Sequence, residues 1–390
     1  MTTDVTTALN DQPARDPGSL AADAAVLAAV VGAAEKILGD LPPVADRDSG
    51  QRAVAARAHR SARVAREEFL RARADDVYDE LTDQRRTRVR VTPLLFAAAD
   101  RFPGLAPTAA QLSAETGLLQ RQKEGWEINQ GIVLRALLSS PSAGRHLIDT
   151  MLTPDDRSRT LLDKFRQTGR LELGKVTVER VGPAAHLTVH NADCLNAEDN
   201  GLAGDMDAAV DLALLDPEVK VGVLRGGIMT HPRYAGRRIF SAGINLSHLH
   251  QGRISYTDFL IRRELGYIHK IYRGILADDP AAWPHPYLQK PWLAVVDGFA
   301  IGGGAQLLLV FDHVIATADA YFSLPAAQEG IVPGAGNLRL NRMTGGRLAR
   351  RIVLGGCKVR AAEREGRLVF DEIVEPEGME AAVAAAVERL

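Results

Sequence analysis

The stretch that most restricts this chain is Val296-Asp297-Gly298-Phe299-Ala300-Ile301-Gly302-Gly303-Gly304-Ala305-Gln306. An apolar run leads into it and Leu307, Leu308 and Leu309 lead out, so the pattern predicts a buried strand that turns directly into an apolar helix. Consecutive glycines at such a junction leave backbone N–H groups uncovered beside a helix start, where a developing anion is favoured. A phosphate cradle competes, but the stretch has neither the P-loop lysine pattern nor the dinucleotide-binding glycine spacing. Two more segments have the same small-residue character. One is Phe240-Ser241-Ala242-Gly243-Ile244-Asn245-Leu246; the other is Phe322-Ser323-Leu324-Pro325 followed by Gly330-Ile331-Val332-Pro333-Gly334-Ala335-Gly336.

The rest of the chain divides by texture. With 390 residues and 46% hydrophobic content, it holds more than one packed unit. Residues 1–20 are polar, lack a basic leader pattern and read as a disordered tail. Residues 21–172 read as an all-α N-terminal domain. A helix over 21–41 is stopped by Pro42-Pro43, a long helix runs from 51 to about 88, and further helices fit 93–101, 108–117, 123–139 and 155–168. Pro103, Pro141 and Pro154 fall near their boundaries. The arginines of the long helix, from Arg52 to Arg73, are followed by Asp75, Asp76, Asp79 and Glu80, so they read as a solvated face. A net charge of −2 likewise gives no basic field for nucleic acid.

From 173 to 390 strands alternate with helices. Strands fit 176–178, 186–189, 221–224, 292–296 and 313–316, with an amphipathic helix over 200–214, an order that argues for parallel βαβ units. Cys194 and Cys357 are too few for a zinc cage or a disulfide framework. No run approaches the ~20 apolar residues of a membrane span. The simplest reading is a reduced, cytoplasmic protein.

Taken in order, the three glycine-containing segments resemble the crotonase (enoyl-CoA hydratase/isomerase) superfamily over about residues 175–390. The stretch His190-Asn191-Ala192-Asp193-Cys194-Leu195-Asn196-Ala197 resembles that family's loop lining the CoA pocket. The resemblance implies an α/β crotonase (ClpP-like) fold of stacked ββα turns, usually assembled as a homotrimer or hexamer. It implies an oxyanion hole made by the N–H groups of Ile244 and Gly303, with Asn196, Ala242 and Gly302 against the substrate. Donors set around a thioester oxygen contribute about 2.7–4 kcal/mol each as an enolate forms.

The sequence departs from the hydratase pattern at two positions. Gln306 and Ala326 stand where hydratases of the superfamily carry the two glutamates that activate water, and neither can act as a base. Glu329 is a displaced carboxylate at the site or a helix-surface residue. Gln306, Ala326 and the run LPAAQEGIVPGAGNLRL, behind a helical N-terminal domain, resemble the (3,5-dihydroxyphenyl)acetyl-CoA dioxygenase branch. That branch implies a cofactor-independent reaction of O2 with an enolate, giving (3,5-dihydroxyphenyl)glyoxylate and CoA in dihydroxyphenylglycine and glycopeptide antibiotic biosynthesis.

Ring hydroxyls in a closed pocket need partners. Glu198 and Arg263 are the candidates, with Arg262 the alternative to Arg263. A metal alternative uses His186 with His190, or His248 with His250, in a two-histidine, one-carboxylate iron site. Past Glu375-Pro376 only a short Ala-rich helix remains, whereas family members usually continue with several helices. An isomerase or thioester hydrolase using the same oxyanion, and a CoA-binding scaffold without turnover, stay as the other functional readings.

Overall fold

The computed structural model describes residues 19–276, 287–332, 334 and 336–390. The tail expected at 1–20 therefore lies almost wholly outside the described residues, as do Pro333 and Ala335. The chain forms two compact units, one of residues up to 89 with 93–115 and 124–146, the other of 90–92, 116–123 and 147–390. Residues 147–172, expected in the helical domain, thus go with the second unit.

The first unit is built of helices. Asp48 starts the helix Ser49–Leu81 with a reciprocal capping box, its carboxylate accepting from the Gln51 N–H at 2.8 Å. This helix stops at Leu81 rather than near Arg88, because Asp83, Gln84 and Arg85 all take positive φ. Arg66, read as part of a solvated face, is only 2% exposed, and its Nε donates to the Gly104 carbonyl at 2.7 Å. Arg73 and Arg85 do pair with Asp23 and Asp79. Pro141, expected at a boundary, opens an unforeseen helix, Pro141–Met151, at the one turn that tolerates its missing N–H.

The second unit is centred on a seven-stranded sheet. Its strands in spatial order are β1 (Arg170–Glu172), β2 (Val176–Val181), β3 (Ala184–Val189), β4 (Val221–Gly226), β7 (Trp292–Val296), β9 (His313–Thr317) and β12 (Glu372–Val374). β1, β2 and β3 pair antiparallel; from β3 to β12 every pairing is parallel. A smaller sheet joins β8 (Phe299–Ile301), β10 (Tyr321–Ser323) and β11 (Val359–Arg360). β5 (Ile275–Leu276) and β6 (Tyr287–Leu288) form a separate pair. β7 leads to β8 and the helix Gly303–Leu308; β9 leads to β10 and the helix Ala326–Glu329. These are the stacked ββα turns, parallel as the alternation predicted. The main sheet is covered on both faces, on one by the helices of the large core and on the other by Met379, Val383 and Ala386 of the last helix. No described helix is long and apolar enough to cross a membrane.

The helix Asn200–Leu215 is not amphipathic in the expected sense, for nearly its whole length is buried, Asp205, Asp207 and Asp211 included. Its neighbours supply the charge balance. Lys270, fully buried, lies 2.8 Å from Asp207 Oδ1 and 2.7 Å from Asp211 Oδ1, and Arg90 Nη2 donates to Asp207 Oδ2 at 2.8 Å. Asp211 Oδ2 also accepts from the Asp155 N–H at 2.8 Å and the Ser158 hydroxyl at 3.0 Å. Removing the shared cation leaves buried carboxylates without their partner, so Lys270→Met is expected to lose about 3–5 kcal/mol of stability. A urea midpoint equal to that of the unmodified protein would sink this reading.

Candidate active site

Two backbone turns build the floor of the site. Ser241 bridges Ala300 of β8, and Glu198 bridges Ile244. The second bridge uses the Glu198 N–H to the Gly243 carbonyl (2.6 Å) and the Asn245 N–H to the Glu198 carbonyl (2.8 Å), so the Ile244 N–H between them points away. Gly302 is held at φ 53°, ψ −115° by its N–H to the Ser323 carbonyl at 2.8 Å, a backbone shape that side chains disfavour. Gly303 then opens the helix. Among the described residues, neither the Ile244 nor the Gly303 N–H has an acceptor. The two turns are close: a Cβ on Gly243, itself at φ 84°, would stand 3.0 Å from the Gly303 nitrogen.

Above this floor lies a cavity of about 130 Å³. Ala242, Ile244, Gly302 and Gly303 line it, and so do Glu198, Arg263, Gln306 and Glu329. Ala326, at the position of the second hydratase carboxylate, is also in the wall. Leu246, Leu260 and Val332 form an exposed apolar lip, and Glu329 is exposed there too. Asn196 is the exception. It is fully buried, its side chain accepts from the Asn191 N–H and donates to the Ile239 carbonyl, and it holds its loop instead of lining this cavity.

The polar wall comes from a π-helix, Tyr256–Tyr267, in which Phe259, Arg263 and Tyr267 are buried. Arg263 is 3% exposed and binds four groups: Nε donates to Glu198 Oε2 at 3.0 Å, Nη1 to Glu264 Oε1 at 2.8 Å and Gln306 Oε1 at 3.2 Å, and Nη2 to the Gly303 carbonyl at 2.6 Å. The last bond fixes the peptide that follows the floor donor. Tyr267 closes the other side of Glu198, donating to Oε1 at 2.7 Å. Gln306 Nε2 donates to Glu264 Oε1 at 2.9 Å, so its amide is held from both ends.

Burial opposes the charge of Arg263, yet the carboxylate of Glu198, with Tyr267 and Glu264 behind it, holds the guanidinium protonated above its ordinary range. Burial, then Glu198, push the Tyr267 phenol well above its usual value, so it stays a donor. Arg262 points elsewhere, toward Asp258 at 3.9 Å. Glu264 and Tyr267 were not singled out in the sequence; the available signal was their place in Arg263-Glu264-Leu265-Gly266-Tyr267, beside a residue that was. The histidines His186, His190, His248 and His250 belong to no group among the described residues that is placed to hold a metal ion.

The family model for enoyl-CoA hydratase/isomerase matches residues 281–390. A (3,5-dihydroxyphenyl)acetyl-CoA 1,2-dioxygenase from Amycolatopsis orientalis is 54% identical over 356 residues, 91% of this chain and 82% of the relative. A short-chain-enoyl-CoA hydratase from Clostridium acetobutylicum is 28% identical over 53% of this chain and 71% of its own length. A probable enoyl-CoA hydratase from Rhizobium meliloti is 30% identical over 55% and 74%. The hydratases thus match about half of the chain, whereas the dioxygenase matches it nearly throughout. With its stacked ββα turns, its paired floor donors and this long-range identity, the chain belongs to the enoyl-CoA hydratase/isomerase (crotonase) family, in the branch of that dioxygenase.

Proposed function

We propose that this chain is a cofactor-independent dioxygenase converting (3,5-dihydroxyphenyl)acetyl-CoA and O2 to (3,5-dihydroxyphenyl)glyoxylate and CoA. The observation that carries this reading is the pair of unclaimed N–H groups on Ile244 and Gly303, opening into a cavity where Gln306 and Ala326 remove the means of activating water. The 54% identity to the dioxygenase supports the substrate.

The thioester oxygen sits against the two N–H groups. Loss of an α-proton puts negative charge on that oxygen, where fixed donors stabilise the enolate more than the starting thioester. The benzylic carbon, acidified by ring and thioester together, passes an electron to O2 and then bonds to it. The resulting peroxide attacks the thioester carbonyl and expels CoA as its thiolate; loss of the remaining α-proton then cleaves the O–O bond, one oxygen staying as the α-ketone and the other in the carboxylate. The apolar lip limits water during these steps. Four bonds from Arg263 leave one Nη2 N–H unused. That N–H and the oxygens of Glu198 are the partners we assign to the ring hydroxyls. The same reading expects a cytoplasmic homotrimer or hexamer.

O2 uptake and free-thiol release, followed together on chelator-treated protein, test the proposal. Equal amounts of both are expected. Thiol release that continues without O2 would make the protein a hydrolase, and activity restored only by added iron would replace the cofactor-independent route with a metal-dependent one.

A further inference from the structure

We propose that Tyr267 is a positioning residue that holds the Glu198 carboxylate as acceptor for a ring hydroxyl, an assignment that rests on the substrate reading above. It thereby makes the site select arylacetyl thioesters that carry a free phenol. Glu198 lines two cavities, that of the site and a second, smaller one of about 20 Å³. Tyr267 lines only the second. Its phenol therefore lies behind Glu198, off the wall that the substrate meets, and acts on the substrate through that carboxylate.

Two donors fix Glu198, one on each oxygen. The Tyr267 hydroxyl donates to Oε1 at 2.7 Å and Arg263 Nε to Oε2 at 3.0 Å. Both donors belong to one helix, so a turn of the carboxylate plane breaks both bonds at once. Among the described residues, nothing else in the second cavity replaces the phenol. Leu202, Met206, Leu224 and Phe240 make much of its wall apolar. The other polar side chains there are engaged: Asn196 donates to the Ile239 carbonyl, Ser241 to the Asn196 carbonyl and Arg225 to Asp297.

The hydrogen-bonding roles then decide which ring substituent fits. Burial, then Glu198, keep the Tyr267 phenol protonated, so it donates. A carboxylate only accepts, and each of its oxygens has a second lone pair. Arg263 has one Nη2 N–H left. A Cβ on Gly303 would overlap Glu198 Oε2 and stand 3.1 Å from Arg263 Nη2, so that acceptor and that donor are neighbours. A hydroxyl, which both donates and accepts, suits the pair. An ether oxygen cannot donate to Glu198, and a bare ring edge leaves buried polar groups unpaired.

The test compares dissociation constants of (3,5-dihydroxyphenyl)acetyl-CoA and phenylacetyl-CoA on the full chain without O2. Wild-type protein is expected to bind the dihydroxy thioester more tightly. Tyr267→Phe, which removes only the hydroxyl, is expected to shrink that ratio by about tenfold. Added to Glu198→Gln, the same change is expected to leave the ratio where Glu198→Gln alone puts it, because its route is gone. A residue that merely supports the fold weakens both thioesters alike. Tyr267→Phe at the wild-type ratio, or a further fall of the ratio in the double variant, overturns the assignment. Wild-type protein that binds (3,5-dimethoxyphenyl)acetyl-CoA as tightly as the dihydroxy thioester overturns it without any variant. Wild-type protein that binds the dihydroxy thioester and phenylacetyl-CoA equally overturns the ring-hydroxyl reading itself, whatever Tyr267 does.

Discussion

Replacing Gly303 by alanine is expected to lower kcat for O2 consumption by about 10²–10³-fold, the effect of losing one oxyanion donor. The reason is local crowding. A Cβ at this position overlaps Glu198 Oε2 and stands 3.1 Å from Arg263 Nη2. Both atoms are held in a buried network, so the backbone of residue 303 moves and carries its N–H with it. Ile244 keeps its own N–H, which leaves residual activity. Oxygen uptake at saturating thioester measures the loss, and urea unfolding checks that the fold survives. Activity within tenfold of wild type would mean that the Gly303 N–H is not part of the chemistry.

Arg263→Met is expected to act on stability as well as turnover. The guanidinium pairs with both Glu198 and Glu264, at 3.0 and 2.8 Å. Its removal takes the shared counter-charge from two carboxylates in the wall, a loss of about 3–5 kcal/mol. It also frees the Gly303 carbonyl. Arg263→Lys restores the charge without the planar fork, so it is expected to recover most of the urea midpoint while turnover stays low. If Arg263→Met unfolds at the wild-type midpoint, the network contributes nothing net and the argument from buried charge fails.

Much of this site was legible before the fold was known. Gly303 and Ile244 sit in turns whose sequences demand close backbone approach, and Gln306 and Ala326 are informative for what they cannot do. The parallel strands followed from their alternation with helices. What escaped was decided by tertiary partners. Hydrophobic periodicity could not show that Asp207 and Asp211 are buried, because their partner Lys270 lies on another element. Arg66 was misjudged for the same reason, its acceptor being the distant Gly104 carbonyl. Glu198 and Arg263 were chosen as separate anchors, and the fold makes them an ion pair first. Glu264 and Tyr267 stayed hidden because a 3.6-residue period does not apply to the helix that carries them.

That helix closes with the Ile268 N–H on the Arg263 carbonyl, five residues back, with Gly266 outside helical geometry. A π turn holds a residue more than the α turn it replaces. Deleting one residue from it would rotate the downstream residues by about 100°, turning Tyr267 from Glu198 and Lys270 from Asp207. Substitution scoring alone does not register such a change. A relative whose gap falls within 256–267 can match every glycine of the floor and still lack the polar wall.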